Sequence, residues 1–317
     1  MTKAPRMVDL AKEYIAYRRN LGFQLASAEP LLLRFAEYAD QIGHRGPLTT
    51  ELAVRWARLP SKGSSGYIAR RLDVVRGFAK YRVIADPRTE IPSPRLLGMT
   101  YRRRTPHIYS DAELSALLAA ARRIRPSTGL TPHTYATLFG LLSCTGLRVS
   151  ESLKLNRGDI DWEQGLLTIR QTKFRKSRLV PLHTSTLRAL REYGDRRDRF
   201  HPAPTVETFF LTRRGTPVSL KGVEATFWRL RIRLRWATGH GHSKPRIHDL
   251  RHTFACRRLQ RWYEEGVDVE HAITALSTYL GHVTVRDTYW YLTGTPELLE
   301  LATARFERFA SSSSGGR

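Results

Sequence analysis

The chain has 317 residues, 41% of them hydrophobic and 10% aromatic, a composition that excludes global disorder and a length that suits two domains better than one. Lys and Arg number 53 against 29 Asp and Glu, and the resulting +24 points to a polyanionic partner. Two cysteines exclude a disulfide framework and a cysteine-type zinc site, and the apolar stretches are too short to span a bilayer.

The opening segment, MTKAPRMVDLAKEY, has no apolar signal region, so the expectation is a soluble cytoplasmic, nucleoid-associated protein with no membrane partner. Positive charge is spread along the chain, with 20 basic and 9 acidic residues before residue 105 and 33 and 20 from there on. The first hundred residues read as short helices. Val8, Ala11 and Ile15, then Leu32, Phe35, Ala36 and Ala39, then Ile68, Leu72, Val75 and Ala79 each fall on one helical face. Thr50 before Glu51 predicts the N-cap of a further helix ending near Pro60. From 86 to 106 the chain is cationic, punctuated by proline and without a period, which predicts a linker with its basic end at 99–106. Arg102, Arg103 and Arg104 lie there as candidate phosphate contacts.

A second unit opens at Ser110, which with Glu113 predicts a capping box ahead of Leu114, Leu117, Leu118 and Ala121. Thr134 to Ser143 is apolar on most sides and predicts a buried helix. The segments GLLTIRQT (165–172) and SRLVPL (177–182), joined by the basic turn KFRK, predict a β-hairpin. Helical periodicity resumes at Thr184, and FFLTRRGTPVS (209–219) reads as a further short strand and turn. From Ile247 the chain is helical again, ending in Pro296 to Ala310 and a disordered tail, 311–317. The expected fold is mainly α with a small antiparallel β-sheet, built as an all-helical domain (1–98), a basic linker (99–106) and a mixed α/β domain (107–310).

Four islands of the second domain concentrate Arg, Lys, His and Tyr. In CTGLRVSES, Arg148 and Glu151 lie three apart at the start of a helix, a spacing that by itself reads as an ordinary surface ion pair. The hairpin turn carries Lys173, Arg175 and Lys176, which alone is a solvated tip. In RIHDLRHTF, His248, Arg251 and His252 share one helical face near an N-terminus, where backbone N–H groups favour an anion. In STYLGHVTVRDTYWYL, His282 precedes Tyr291, and Tyr279, Tyr289 and Tyr291 are each compatible with a core role.

In this order the islands resemble the catalytic domain of the tyrosine recombinases, the phage-integrase and XerC/XerD-like site-specific recombinases. TGLRVSE matches the family's first arginine at Arg148 and its accompanying acid at Glu151, TKFRKSRLVPL its hairpin lysine at Lys173, HDLRH its His-x-x-Arg element at His248 and Arg251, and LGH its later histidine at His282. The spacing from LGH then selects Tyr291 as the nucleophile. The resemblance covers roughly residues 107 to 310, while the first hundred match only as a helical, basic, core-binding domain.

The resemblance implies DNA strand exchange through a 3′-phosphotyrosyl link, as in integration, transposition or resolution. Arg148 and Arg251 would clamp the non-bridging phosphate oxygens, His248 accept the tyrosine proton, His282 donate to a phosphate oxygen, and Lys173 protonate the departing 5′ oxygen. Glu151 would orient Arg148 or His248, and Arg175 and Lys176 would contact DNA with the linker arginines. It further implies duplex DNA with paired half-sites as partner, a homo-oligomer on it (a tetramer, with or without a related recombinase), and no metal or other cofactor. Two rivals stand beside this: a sequence-specific DNA-binding protein that keeps the fold without cleaving, and a type IB topoisomerase, which shares the tyrosine chemistry but relaxes DNA without exchanging partners. Asp159 and Asp161 raise a two-metal nuclease, and His240, His242, His248 and His252 a metal loop, but neither set has convincing ligand spacing.

Overall fold

The computed structural model describes residues 5–60, 63–100, 105–170, 177–236 and 244–293, together with Glu300 and Thr303. The chain divides into two compact units, Met1–Arg103 and Arg104–Arg317. Both are dominated by helices, and the second carries a small antiparallel sheet, the architecture expected from the sequence. No helix among the described residues is long and apolar enough to cross a membrane.

The first unit holds helices α1 (Met7–Asn20), α2 (Glu29–Gln41), α3 (Thr50–Arg58) and α4 (Ser65–Ala85). Its core joins the predicted stripes, with Ala11, Phe35, Ala36, Ala39, Val75 and Ala79 fully buried and Ile68 partly so. Each large side chain there contributes about 1.5–3 kcal/mol by leaving water. Phe35 meets Trp56 edge-on at 5.4 Å, and Arg71 lies 3.7 Å over the Trp56 ring while donating to its carbonyl. The cap of α3 is Thr49, not Thr50: its hydroxyl accepts from the Leu52 N–H at 3.2 Å, and Thr50 is the first helical residue. Adjacent threonines offer the same hydroxyl, and extended backbone at Thr49 decides which one caps.

The stretch from 86 to 100, read from sequence as linker, packs on the first unit. Glu90 donates its N–H to Leu48 O at 2.8 Å and accepts the Thr50 N–H on its carboxylate at 2.8 Å, with Thr89 buried beneath. Prolines removed the period but not the contacts. Arg102, Arg103 and Arg104 lie outside the described residues.

The second unit begins with α5 (Asp111–Arg122), whose Ser110–Glu113 capping box forms as expected, and α6 (Leu130–Thr145), buried on nearly every side. After the short α7 (Val149–Ser152) come strands β1 (Ile160–Asp161), β2 (Leu166–Ile169) and β3 (Arg178–Pro181), ordered β1-β2-β3 and antiparallel throughout. Leu167 pairs with Val180 and Ile169 with Arg178, so the predicted hairpin pairs in register; its turn residues Lys173, Arg175 and Lys176 lie outside the described residues. Helices α8 (Thr184–Phe200) and α9 (Leu220–Arg233) follow. Residues 209–219 make an isolated bridge, Leu211 to Pro217, instead of the expected strand, because Phe209, Phe210 and Leu211 are all drawn into the core. The chain closes through α10 (Asp249–Glu264), α11 (Val269–Leu280), α12 (Arg286–Tyr289) and a 3₁₀ turn, Trp290–Thr293. Of the expected terminal helix, Glu300 and Thr303 are described, and both are helical.

Candidate active site

Two left-handed glycines build the floor of the site. Gly146 (φ +62°) ends α6 and Gly281 (φ +67°) ends α11, so both helices expose their last carbonyls to the same space. Neither position tolerates a side chain. A Cβ on Gly146 would stand 2.5 Å from Phe254 Cδ1, and one on Gly281 2.6 Å from Arg178 Nη1.

Three arginines meet those carbonyls. Arg251, on the first turn of α10 and 3% exposed, donates to Gly146 O and Leu280 O, each at 2.7 Å. Arg148, at the N-cap of α7, donates to Gly281 O at 3.0 Å and to Glu151 Oε1 at 2.8 Å. Arg178, on β3, donates to Tyr279 O at 2.7 Å and grips both Glu151 oxygens at 3.1 and 2.8 Å. The last three carbonyls of this helix end, Tyr279, Leu280 and Gly281, thus each serve a different guanidinium. Glu151 also accepts the Arg148 N–H at 3.0 Å. Burial would raise its carboxyl, but Arg178 and then Arg148 outweigh it and hold it at about 2. Burial brings Arg251 down to about 10, so it remains a cation at neutral pH.

The histidines and Tyr291 line the same space. Tyr291, in the 3₁₀ turn, is 3% exposed, and its ring lies near-parallel to His282 at 6.0 Å and edge-on to His252 at 5.4 Å. Burial raises its hydroxyl above the usual value, and the positive charge of the nearby Arg251 guanidinium opposes the rise. Tyr289 is 46% exposed and Tyr279 stacks on Phe254, so the structure separates the three tyrosines that spacing alone leaves equivalent. His282 Nδ1 lies 2.7 Å from the buried Thr288 hydroxyl. When Thr288 donates, the ring proton sits on Nε2. His248 occupies the N-cap position of α10, with no cap bond from its side chain, and meets His252 edge-on at 4.9 Å. Burial, then neighbouring cations or imidazoles, lowers all three histidines: His252 to about 3, His282 to about 4, and His248 in the same direction. All three are therefore neutral at pH 7.

Those shifts predict acid sensitivity. An unfolded histidine takes up its proton near 6.5 and an unfolded glutamate near 4.5, whereas the folded His282, His252 and Glu151 resist protonation down to about 4, 3 and 2. The unfolded state thus binds more protons below 6.5, and stability present at neutral pH is lost progressively as pH falls. Thermal melts should drop steadily from pH 7 to 4, with a shallower slope for His282→Asn; a flat Tm over that range would contradict the burial described.

Sequence reading located Arg148, Glu151, His248, Arg251, His282 and Tyr291, and the structure brings all six together. It missed Arg178 and Thr288. Arg178 faces inward beside Val180 while apolar Leu179 is 59% exposed, so strand alternation read on hydrophobicity places the wrong residue inside. The rival acids are used locally. Asp159 accepts the Asn156 N–H and pairs with Arg170, and Asp161 accepts the N–H groups of Glu163 and Gln164 in a turn. His240 and His242 lie outside the described residues, among which no cluster of three or more His, Cys, Asp or Glu is placed to hold a metal ion.

A phage integrase family model matches residues 109–297. The chain is 45% identical over 306 residues to y4rB of Sinorhizobium fredii, provisionally named an integrase/recombinase, covering 94% of this chain and 96% of that one. It is 30% identical over 229 residues to tyrosine recombinase XerC of Chlamydia caviae, covering 71% and 66%. Among solved structures, the Tn1549 transposon integrase bound to transposon right-end DNA aligns with a TM-score of 0.68 at 19% identity, over 96% of this chain and all of that one. A lambda integrase tetramer bound to a Holliday junction aligns at 0.58 and 18% identity, over 88% and 76%. With its family model spanning the whole site and a near full-length relative at this identity, the chain belongs to the phage integrase family of tyrosine recombinases.

Proposed function

We propose that the protein is a site-specific DNA recombinase that cleaves and rejoins strands through a 3′-phosphotyrosyl intermediate on Tyr291. The observation that carries this reading is the burial of that tyrosine, and not Tyr289, against Arg251 and among neutral histidines. Its oxygen attacks the scissile phosphorus while the bond to the 5′ oxygen breaks. The tyrosine proton passes to His248, whose neutral ring has a lone pair to receive it, and Lys173 supplies the proton of the departing 5′-hydroxyl. Arg148 and Arg251 neutralise the charge that builds on the non-bridging oxygens, helped by the Nε2–H of His282. Arg251 is well suited to this, because backbone carbonyls hold it and leave its full charge for the phosphate. A 5′-hydroxyl of the partner strand then attacks the phosphotyrosine and releases Tyr291.

The phosphodiester energy is kept in the protein–DNA ester, so the reaction calls for neither ATP nor a metal ion. Duplex DNA with paired half-sites is the proposed partner, gripped by the basic helical unit (1–98), the linker arginines Arg102, Arg103 and Arg104, and the hairpin residues Arg175 and Lys176. A tetramer on DNA is proposed by analogy with the lambda integrase assembly, and the cytoplasm, at the nucleoid, as the place of action.

Sequencing DNA bound by the protein in its host and mapping the strand joints tests the reading. Reciprocal joints at a fixed sequence are expected; relaxation without exchange would indicate a topoisomerase, and binding without joints a non-cleaving protein. Covalent adduct formation on a nicked suicide substrate should persist in EDTA to within about twofold, because every cation invoked is a side chain. Strict dependence on added Mg²⁺ or Zn²⁺ would refute the metal-free chemistry.

A further inference from the structure

We infer that Arg178 is a positioning residue for strand cleavage: it fixes Arg148 through Glu151 and ties both to the end of α11. The inference rests on the proposed cleavage reaction and adds a residue to it.

Arg178 occupies an inward position of β3, its side chain 9% exposed, and burying a guanidinium there is costly unless it is paired on several sides. The pairing is supplied. Each of its three nitrogens has a partner: Nη1 and Nη2 take the two oxygens of Glu151, and Nε takes Tyr279 O. Glu151 Oε1 lies between Arg178 Nη1 and Arg148 Nη1, while Oε2 lies between Arg178 Nη2 and the Arg148 N–H. The carboxylate is therefore shared, which keeps it from neutralising Arg148 alone and fixes the direction in which Arg148 projects.

The second tie runs through the helix end. Arg178 holds Tyr279 O and Arg148 holds Gly281 O, two residues apart on the segment that continues through His282 to Tyr291. Any shift of that segment is felt by both arginines. Gly281 confirms how closely the parts fit, since a Cβ there would stand 2.9 Å from Arg178 Cζ. A lysine could carry the charge but could not join a carboxylate face-on and a carbonyl from the side.

The test uses the full chain and a nicked suicide half-site, made once with the normal scissile phosphate and once with a neutral methylphosphonate in its place. Arg178→Met should lower the rate of adduct formation on the normal substrate on the order of 10–100-fold. Half-site Kd should stay within about threefold, since the groups that grip the duplex are untouched. On the methylphosphonate, where no phosphate charge awaits Arg148, the ratio of wild type to variant should fall to within about threefold. Arg178→Lys, which preserves the buried charge if the methionine variant misfolds, should show the same pattern with a smaller loss. Equal rates in wild type and both variants, or a loss of the same size on both substrates, would overturn the inference and leave the proposed function standing. Absence of adduct with the wild-type protein would overturn both.

Discussion

Tyr291→Phe will bind a half-site like the wild-type protein and form no covalent adduct with it. The substitution removes one oxygen from a ring that is otherwise held by its surroundings, near-parallel to His282, edge-on to His252 and tilted against Trp290. The packing of the ring is kept, so the folded state changes by about 1 kcal/mol at most and the variant stays folded at assay temperatures. Chemistry loses its nucleophile, and adduct formation should fall at least about 10³-fold, below detection on a denaturing gel of labelled DNA. Tyr289→Phe is the matched control. Its ring is 46% exposed and its loss should leave the rate within about twofold. Adduct surviving in the Tyr291 variant, or vanishing in the Tyr289 variant, would refute the assignment.

Arg251→Lys should be the next most damaging change, and it should act on stability and chemistry together. The guanidinium bridges Gly146 O and Leu280 O, the ends of two helices, while facing Tyr291. An ammonium can reach one carbonyl at a time, leaving the other without its donor at a cost of about 1–3 kcal/mol. The proposed hold of the guanidinium on a phosphate would be lost as well, and the rate of adduct formation should fall roughly 10²–10³-fold. Thermal melts and suicide-substrate kinetics on the same preparation separate the two effects. A normal Tm with a normal rate would mean that Arg251 is only a packed cation.

Helix positions were largely legible in the sequence because they depend on local pattern: the stripe through Phe35, Ala36 and Ala39, or the Ser110–Glu113 capping box, needs no knowledge of the rest of the chain. The six candidate site residues that the fold brings together were legible for a different reason, through order and spacing that match a family. What stayed hidden depends on distant contacts. Residues 86–100 look like linker until Leu48 O is found opposite the Glu90 N–H, and FFL in 209–211 looks like a strand until the core claims all three side chains. Arg178 was hidden by its own strand, where a cation turns inward and a leucine outward because Glu151 lies on the inner side. Thr288 carries no signal at all until His282 is placed beside it.

The anchoring of three arginines on consecutive carbonyls at the end of α11 has a genetic consequence. A carboxylate partner can be deleted by one codon change, but a peptide carbonyl belongs to every residue type and survives any substitution at its own position. Inactivating mutations in this stretch should therefore spare the surface positions Glu270 and Thr274 and fall where helix register and ending are set, at Leu276, Leu280 and Gly281. Proline scanning through α11 would find the same boundary, since it displaces the carbonyls without removing one.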